Sequence, residues 1–347
     1  GEEFKLWQKT RKWSIKQFDE IYKELNINFK ETFYESDFIE KGIKQIKELK
    51  DKKILIESEN AIIADLNEYN LGVLVIMRSD GTALYPTADI PLAIYKLTKF
   101  KLDKSIIVVD VRQSLYFKQL FKLLELLGYK QEMIHLSYEF VKLPSGMMSS
   151  RTGNIITYTE LKEKLINKAK NEIIKRHEKW STRKINETAN TLATAIMKFE
   201  MLKVDANQII NFDIEKSLKF EGYTAGYIEY TYARISSILK TFDKENIKLK
   251  LDSKTTNTLE DAKERDIILK IAKYPETIEK AAKTYNPSML AKYLFELAQL
   301  INDYYHAIPI LKANKERKNA KILLVKSSNQ IIKNGLNLLG IEVLEEM

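Results

Sequence analysis

The sequence predicts an α/β unit followed by an all-helical one, and three observations carry that prediction. Between residues 73 and 140, short apolar runs alternate with helix-length amphipathic stretches, the pattern of a doubly wound parallel sheet. From Tyr158 onward almost only helical periodicity remains. The 347 residues, 44% hydrophobic and 30% charged, suffice for a sizeable core and match neither a disordered nor a fibrous composition.

The elements follow in order. Trp7, Trp13, Ile15, Phe18, Ile21, Tyr22 and Leu25 recur at helical spacing, and a second helix is expected near Phe38–Leu49. Lys53–Glu57 and Ala61–Leu66 flank the polar Ser58-Glu59-Asn60, which reads as a hairpin. Val73–Met77 is a buried-type strand and Ala88–Tyr95 a helix. Ser105–Val109 is a fully apolar strand, Ser114–Leu127 a helix stopped by Gly128, and Glu132–Phe140 a further strand. The helical part is expected at Glu160–Lys179, Arg183–Lys203, Gly226–Thr241, Leu259–Lys273, Ser288–His306 and Glu316–Leu339. Lys244–Thr258 is expected as its long loop.

Composition excludes several chemistries. With no Cys there is no disulfide framework, no thiolate zinc site and no thiol nucleophile. His135, His177 and His306 lie far apart, so neither zinc nor another tightly held metal or cofactor is expected. No G-x-S-x-G marks an acyl hydrolase, and no Walker loop is present. No apolar run approaches a membrane span and the start GEEFKLWQKTRKW has no signal core, so a cytoplasmic protein is expected. The charge of +9 is unevenly placed. Residues 1–150 hold 23 basic and 22 acidic residues, residues 151–347 hold 34 and 26. Either the surface is simply lysine-rich, or the second part meets a polyanion such as nucleic acid.

Three clusters stand where an α/β sheet presents ligands. Asp110 ends the SIIVV strand in Asp110-Val111-Arg112-Gln113; it either faces a ligand or, like Ser114, caps the helix that follows. In RSDGTALYPTADI, Tyr85 and Asp89 stand one turn apart and could offer a phenol and an anion to a cation. Alternatively, Thr87 caps this helix and Asp89 only complements its dipole. LPSGMMSSRTGN supplies backbone amides, hydroxyls and Arg151, the groups that hold phosphates.

In this order and spacing the clusters resemble the arginyl-tRNA synthetases, class I aminoacyl-tRNA synthetases, in their archaeal and eukaryotic form. LPSGMMSSRTGN is similar to the KMSKS loop, and RSDGTALYPTADI to the family segment R-S-D-G-T-x-x-Y-x-T-R-D-I-A. VVDVRQSLYFKQLFKLLELLGY, FEGYTAGYIEYTYARISSILK, NDYYHAIPIL and the ending LLGIEVLEEM resemble later family segments. The resemblance implies that Tyr85, Asp89 and Gln113 grip L-arginine. It places Asp110 with Met148, Ser149, Ser150 and Arg151 at ATP, which enters with Mg²⁺ as substrate, and Ser149, Ser150 and Arg151 in the catalytic loop. It also implies that Tyr227, Tyr230, Arg234, Tyr304 and Met347 meet tRNA(Arg), although any single Tyr at helical spacing could be core. Two departures stand out: Met147 replaces the first KMSKS lysine and Ala88 the Arg of the T-R-D motif.

The expected architecture is the second half of a Rossmann-type class I catalytic domain followed by an α-helical anticodon-binding bundle. Residues 1–70 are expected as the connective insertion, 71–158 as the half-domain with the KMSKS-like loop, and 159–347 as the bundle. The HIGH signature and first Rossmann half are not found in residues 1–70. The chain is therefore expected to be a fragment, or one product of a split gene that works with a separate HIGH-bearing chain. The other reading is a non-catalytic tRNA-binding or assembly protein built from a synthetase body.

Overall fold

The protein is described here by a computed structural model covering residues 1–144, 146, 147, 156–245, 249 and 252–347. Met148, Ser149, Ser150 and Arg151, expected at the ATP phosphates, lie outside the described residues. Two compact units form, one of residues 29–140 and one of residues 1–28 with 141–347. Helix α1 (Glu2–Glu24) therefore groups with the second unit rather than with residues 29–70.

In the 29–140 unit, α2 (Ile39–Asp51) precedes the expected hairpin of β1 (Ile56–Ser58) and β2 (Ala61–Asp65). Glu59 and Asn60 turn it with φ of 51° and 62°, the left-handed pair that suits the twist of a two-residue hairpin. β3 (Val73–Met77) then folds back antiparallel on β2, with Asp65 opposite Val73. This corrects the expected single parallel sheet. Apolar content marks a strand as buried but not its direction, and the short link from Leu66 to Gly72 permits only a return, since a parallel neighbour needs a long crossover.

Helix α3 (Tyr85–Lys99) is longer than expected, because Pro86 sits at its second position, where no amide is needed. Pro91 lies inside it and lacks the amide that would bond the Thr87 carbonyl. That carbonyl faces Gly42 of α2, where a β-carbon would overlap it. Thr87 is no cap: its hydroxyl, buried, donates to the Ile76 carbonyl at 2.9 Å.

β4 (Lys104–Asp110), α4 (Ser114–Leu126) and β5 (Glu132–Tyr138) form a βαβ unit, with Lys104 opposite Glu132 and Asp110 opposite Tyr138 in parallel register. Gly128, at φ 93°, ends α4 as anticipated. Leu120, Leu123 and Leu124 of α4 pack with Ile76 and Ile90 in this unit's core.

The second unit begins its sheet with β6 (Val141–Leu143), which pairs with β7 (Gly146–Met147) and, in parallel, with β8 (Ile210–Asn211). Between them come α5 (Tyr158–Arg176), opened by a Thr157–Glu160 capping box, and α6 (Thr182–Leu202), capped by Ser181. The short α7 (Ile214–Ser217) leads to α8 (Ala225–Asp243), capped by Thr224. Among the described residues of the expected loop from Lys244 lies one helical turn, α9 (Ser253–Thr256). Then follow α10 (Ala262–Ala272), an unanticipated α11 (Tyr274–Lys283), α12 (Ser288–Ala307) and α13 (Lys315–Leu338). Phe199, Ile228, Leu294, Leu297, Ile332 and Leu336 knit these helices into one core. Among the described residues no helix is long and apolar enough to cross a membrane.

Candidate functional site

In the 29–140 unit the site is built on the start of α3 and the end of β4. Tyr85 opens α3 and is 72% exposed, and Asp89 lies one turn further on the same side. Asp89 is half-buried, and its Oδ2 accepts a 2.5 Å hydrogen bond from the Tyr116 hydroxyl of α4. Burial holds the Asp89 carboxyl above the usual carboxylate range, against the pull of the Tyr116 bond, and the nearby Glu35 carboxylate adds to the rise. Burial likewise depresses Lys96, while Asp89 supports its charge. Tyr116 is pushed up by burial, by Asp89 and by Glu35, so its proton stays in place as a donor. The result is a half-buried carboxylate pre-aligned by a phenol, with a second carboxylate and the Lys96 ammonium acting on it. Two carboxylates suit a planar cation that can take both.

The structure puts Tyr85 and Asp89 one turn apart on α3, as their spacing predicts, and adds Tyr116 and Glu35, which the sequence did not single out. Tyr116 sits in the quoted helix segment, and its spacing says nothing of Asp89. Gln113 is exposed at the end of the turn after β4 and makes no hydrogen bond to Tyr85 or Asp89. At Asp110 the capping alternative is realised. Its Oδ1 accepts from the Arg112 amide at 2.8 Å, and its carboxylate takes the Arg112 guanidinium through bonds of 2.8 and 3.1 Å. Those bonds hold the Asp110 carboxyl below its ordinary range.

In the other unit, four of the five residues expected at RNA line one cleft of about 670 Å³: Tyr227, Tyr230, Arg234 and Met347. Arg234 is its centre. Its guanidinium donates to Asn302 Oδ1 at 2.9 Å and to the Tyr230 hydroxyl at 3.1 Å, and lies over the rings of Tyr230 and Tyr305 at 4.6 and 4.8 Å. Arg176 enters from α5, 4.0 Å from the Phe220 ring. Tyr304 is the exception. It is fully buried and donates to Glu264 at 2.9 Å, so it belongs to the core, and the exposed ring beside Arg234 is Tyr305. The one-residue difference is helix phase: Tyr304 lies on the inner stripe of α12 with Leu297 and Ile301.

Comparison with known proteins finds a family model for each of two parts of the chain. Residues 2–214 match the family model described as tRNA synthetases class I (R), catalytic domain, and residues 228–347 match the DALR anticodon binding domain. An arginine–tRNA ligase of Bdellovibrio bacteriovorus is 35% identical over 351 residues, and one of Halothermothrix orenii is 36% identical over 345. The alignments take in 100% and 99% of this chain, and the chain spans 60% of the length of each relative. Among solved structures, the arginyl-tRNA synthetase of Plasmodium falciparum shares the fold with a TM-score of 0.83 at 24% identity, over 99% of this chain and 58% of that one. The Thermus thermophilus arginyl-tRNA synthetase gives 0.78 at 25% identity, over 90% and 58%. With a catalytic-domain model matched over more than half its length and an anticodon-binding model over the remainder of its bundle, the chain belongs to the arginyl family of class I tRNA synthetases.

Proposed function

We propose that the chain is the larger part of a cytoplasmic arginine–tRNA ligase, which activates L-arginine with ATP and Mg²⁺ as arginyl-adenylate and passes it to tRNA(Arg). The observation that carries this reading is the Asp89–Tyr116 pair with Glu35 beside it. A guanidinium is planar, permanently charged and rich in donors, and it fits a carboxylate whose second oxygen is already fixed by a phenol. Tyr85 and Gln113 complete the proposed grip. The chemistry itself, attack of the arginine carboxylate on the α-phosphorus of ATP with cleavage of the α–β bond and release of pyrophosphate, needs in-line positioning and charge neutralisation more than covalent help. The segment Met148–Arg151 is proposed for ATP, together with Asp110, which would have to meet it while still capping the turn after β4 and holding Arg112. Tyr227, Tyr230, Arg234 and Met347 are proposed to face the anticodon arm, with an arginine between aromatic rings of the kind on which unstacked bases rest.

The chain is also proposed to lack the HIGH-bearing half of the catalytic domain. Two surfaces support this. Ile106 and Val108 of β4 are 42% and 61% exposed, in register with Ile134 and Leu136 of β5, so one face of the parallel pair is apolar and open. Parallel strands are otherwise covered on both faces. Helix α1 has no buried residue, and Phe4, Trp7, Trp13 and Phe18 are each more than half exposed. The test is aminoacylation with and without a separate HIGH-bearing polypeptide. The expected result is no charging by the chain alone and charging on addition, lost again with Asp89→Ala. Robust charging by the chain alone refutes the missing half. Tight tRNA binding with no charging under either condition favours the non-catalytic alternative.

A further inference from the structure

Glu229 is fully buried in α8, one residue before Tyr230. Its Oε2 accepts a 2.9 Å hydrogen bond from the Leu344 amide, and its Oε1 has no partner. Leu344 belongs to the last seven residues, which leave α13 at Gly340, turned through a left-handed φ of 69°. This strap is tied to the bundle by contacts of three kinds. Lys198 donates to the Gly340 carbonyl at 2.5 Å, Ile341 is buried, and Lys240 reaches Glu345 and Glu346 at 3.1 and 3.4 Å while Lys184 pairs with Glu346. The strap ends at Met347, which lines the cleft beside Tyr230 and Arg234.

Among the described residues, the cations that hold the strap, Lys198, Lys240 and Lys184, are engaged with other groups, and none pairs with Glu229. The charged group that acts on Glu229 itself is an acid, Glu342 on the strap; its neighbour Tyr232 on α8 feels Glu345 and also Lys240, whose ammonium is taken up by Glu345 and Glu346. A carboxylate with one amide donor, no cation and an acidic neighbour is a poor resident of a dry site; the neutral acid is the form such a site holds. We propose that Glu229 is a positioning residue for RNA binding: as an uncharged acid it anchors the C-terminal strap on α8 and so sets Met347 into the wall of the cleft. This rests on the reading of that cleft as the RNA site.

The physical consequence is a pH-dependent anchor. Burial raises the Glu229 carboxyl to about 8 from 4.5, with the Leu344 bond opposing and Glu342 adding to the rise. The docked strap thus binds a proton that the released strap gives up. Docking is firmest below about 4.5, weakens roughly tenfold per pH unit from there to about 8, and is level above.

The experiment is hydrogen–deuterium exchange of the strap in the 347-residue chain from pH 5 to 9, corrected for intrinsic exchange, in the native sequence and in Glu229→Gln and Glu229→Ala. The amide variant keeps shape and neutrality, so its protection is expected to stay flat with pH. The native strap is expected to open roughly tenfold more readily per unit up to about 8. Glu229→Ala should expose the strap at every pH. Should that variant fail to fold, the native and Gln profiles still decide the matter. Equal, flat protection in the native chain and Glu229→Gln overturns the proposal. tRNA affinity on the same samples should fall in step with strap release, and strap release with unchanged affinity overturns the positioning role. A native chain that binds no tRNA at any pH refutes instead the RNA reading of the cleft, while a pH-gated anchor would stand without it.

Discussion

Gly42→Ala tests whether the packing behind α3 sets the proposed arginine site at Asp89. A β-carbon at position 42 would overlap the Thr87 carbonyl oxygen and stand 2.8 Å from its carbon, where carbon atoms rest at roughly 3.5–4.0 Å. The obstacle is backbone, so no rotamer change relieves it, and α2 and α3 must part by something like an ångström. Retreat of α3 is opposed on its other side by the 2.9 Å bond from Thr87 to the Ile76 carbonyl. Overpacking of this kind costs about 1–3 kcal/mol, to be read as a lowered urea midpoint followed by far-UV circular dichroism. The same helix carries Asp89, so its shift stretches the 2.5 Å bond from Tyr116. Losing a hydrogen bond to a charged group is worth about 1.5–3 kcal/mol, or roughly ten- to hundredfold in arginine affinity. A double variant with Tyr116→Phe should then lose less than the sum of the two single losses, since the bond is already broken. An unchanged midpoint with unchanged arginine affinity would show that the helix contact does not position the site.

Two further outcomes follow from the charges. Tyr116→Phe removes the donor that offsets burial at Asp89, so the carboxyl, already raised, rises further. The proposed arginine grip needs the carboxylate; binding is therefore expected above this range and lost as pH falls through it, and the variant's midpoint should lie at higher pH in calorimetric titrations. A midpoint that does not move removes Tyr116 from the site. tRNA affinity should fall steeply with salt, and replacing Lys175 and Lys219, which line the groove beside Arg176, should flatten that slope. An unaltered slope would mean that the backbone passes elsewhere.

How far the sequence could be read depended on whether the relevant partner was local. The hairpin turn and the Gly128 stop are set by neighbours a few residues away, and these were legible. Tyr85 and Asp89 were legible because a helical turn fixes their spacing. Tyr116 was not, since its bond to Asp89 joins residues 27 apart through the packing of two helices. Strand direction was equally hidden: Val73-Leu74-Val75-Ile76-Met77 is apolar throughout, yet Val73 and Val75 are 45% and 37% exposed, and only the partner shows whether the run lies parallel or antiparallel. Tyr304 and Tyr305 differ by 100° of helix phase, which decides core against surface and which a resemblance of short segments leaves open.

The distribution of cations bears on how the proposed RNA surface could discriminate. The chain has 48 Lys and nine Arg, and most of its surplus charge lies beyond residue 150. Lysines act as hydrated point charges on flexible stems, so a lysine-rich bundle draws any polyanion and is screened by salt. Arg176 and Arg234 are placed differently, each held against aromatic rings, with Arg234 also fixed by Asn302 and Tyr230. A guanidinium stacked in that manner presents its donor edge in one direction, which suits the edge of an unstacked base rather than a diffuse phosphate field. Arg234→Lys would then keep the charge and lose the plane. Its expected signature is weakened preference for tRNA(Arg) over other tRNAs with the salt slope preserved, the opposite of the lysine replacements. Equal losses for all tRNAs would assign Arg234 to the backbone instead.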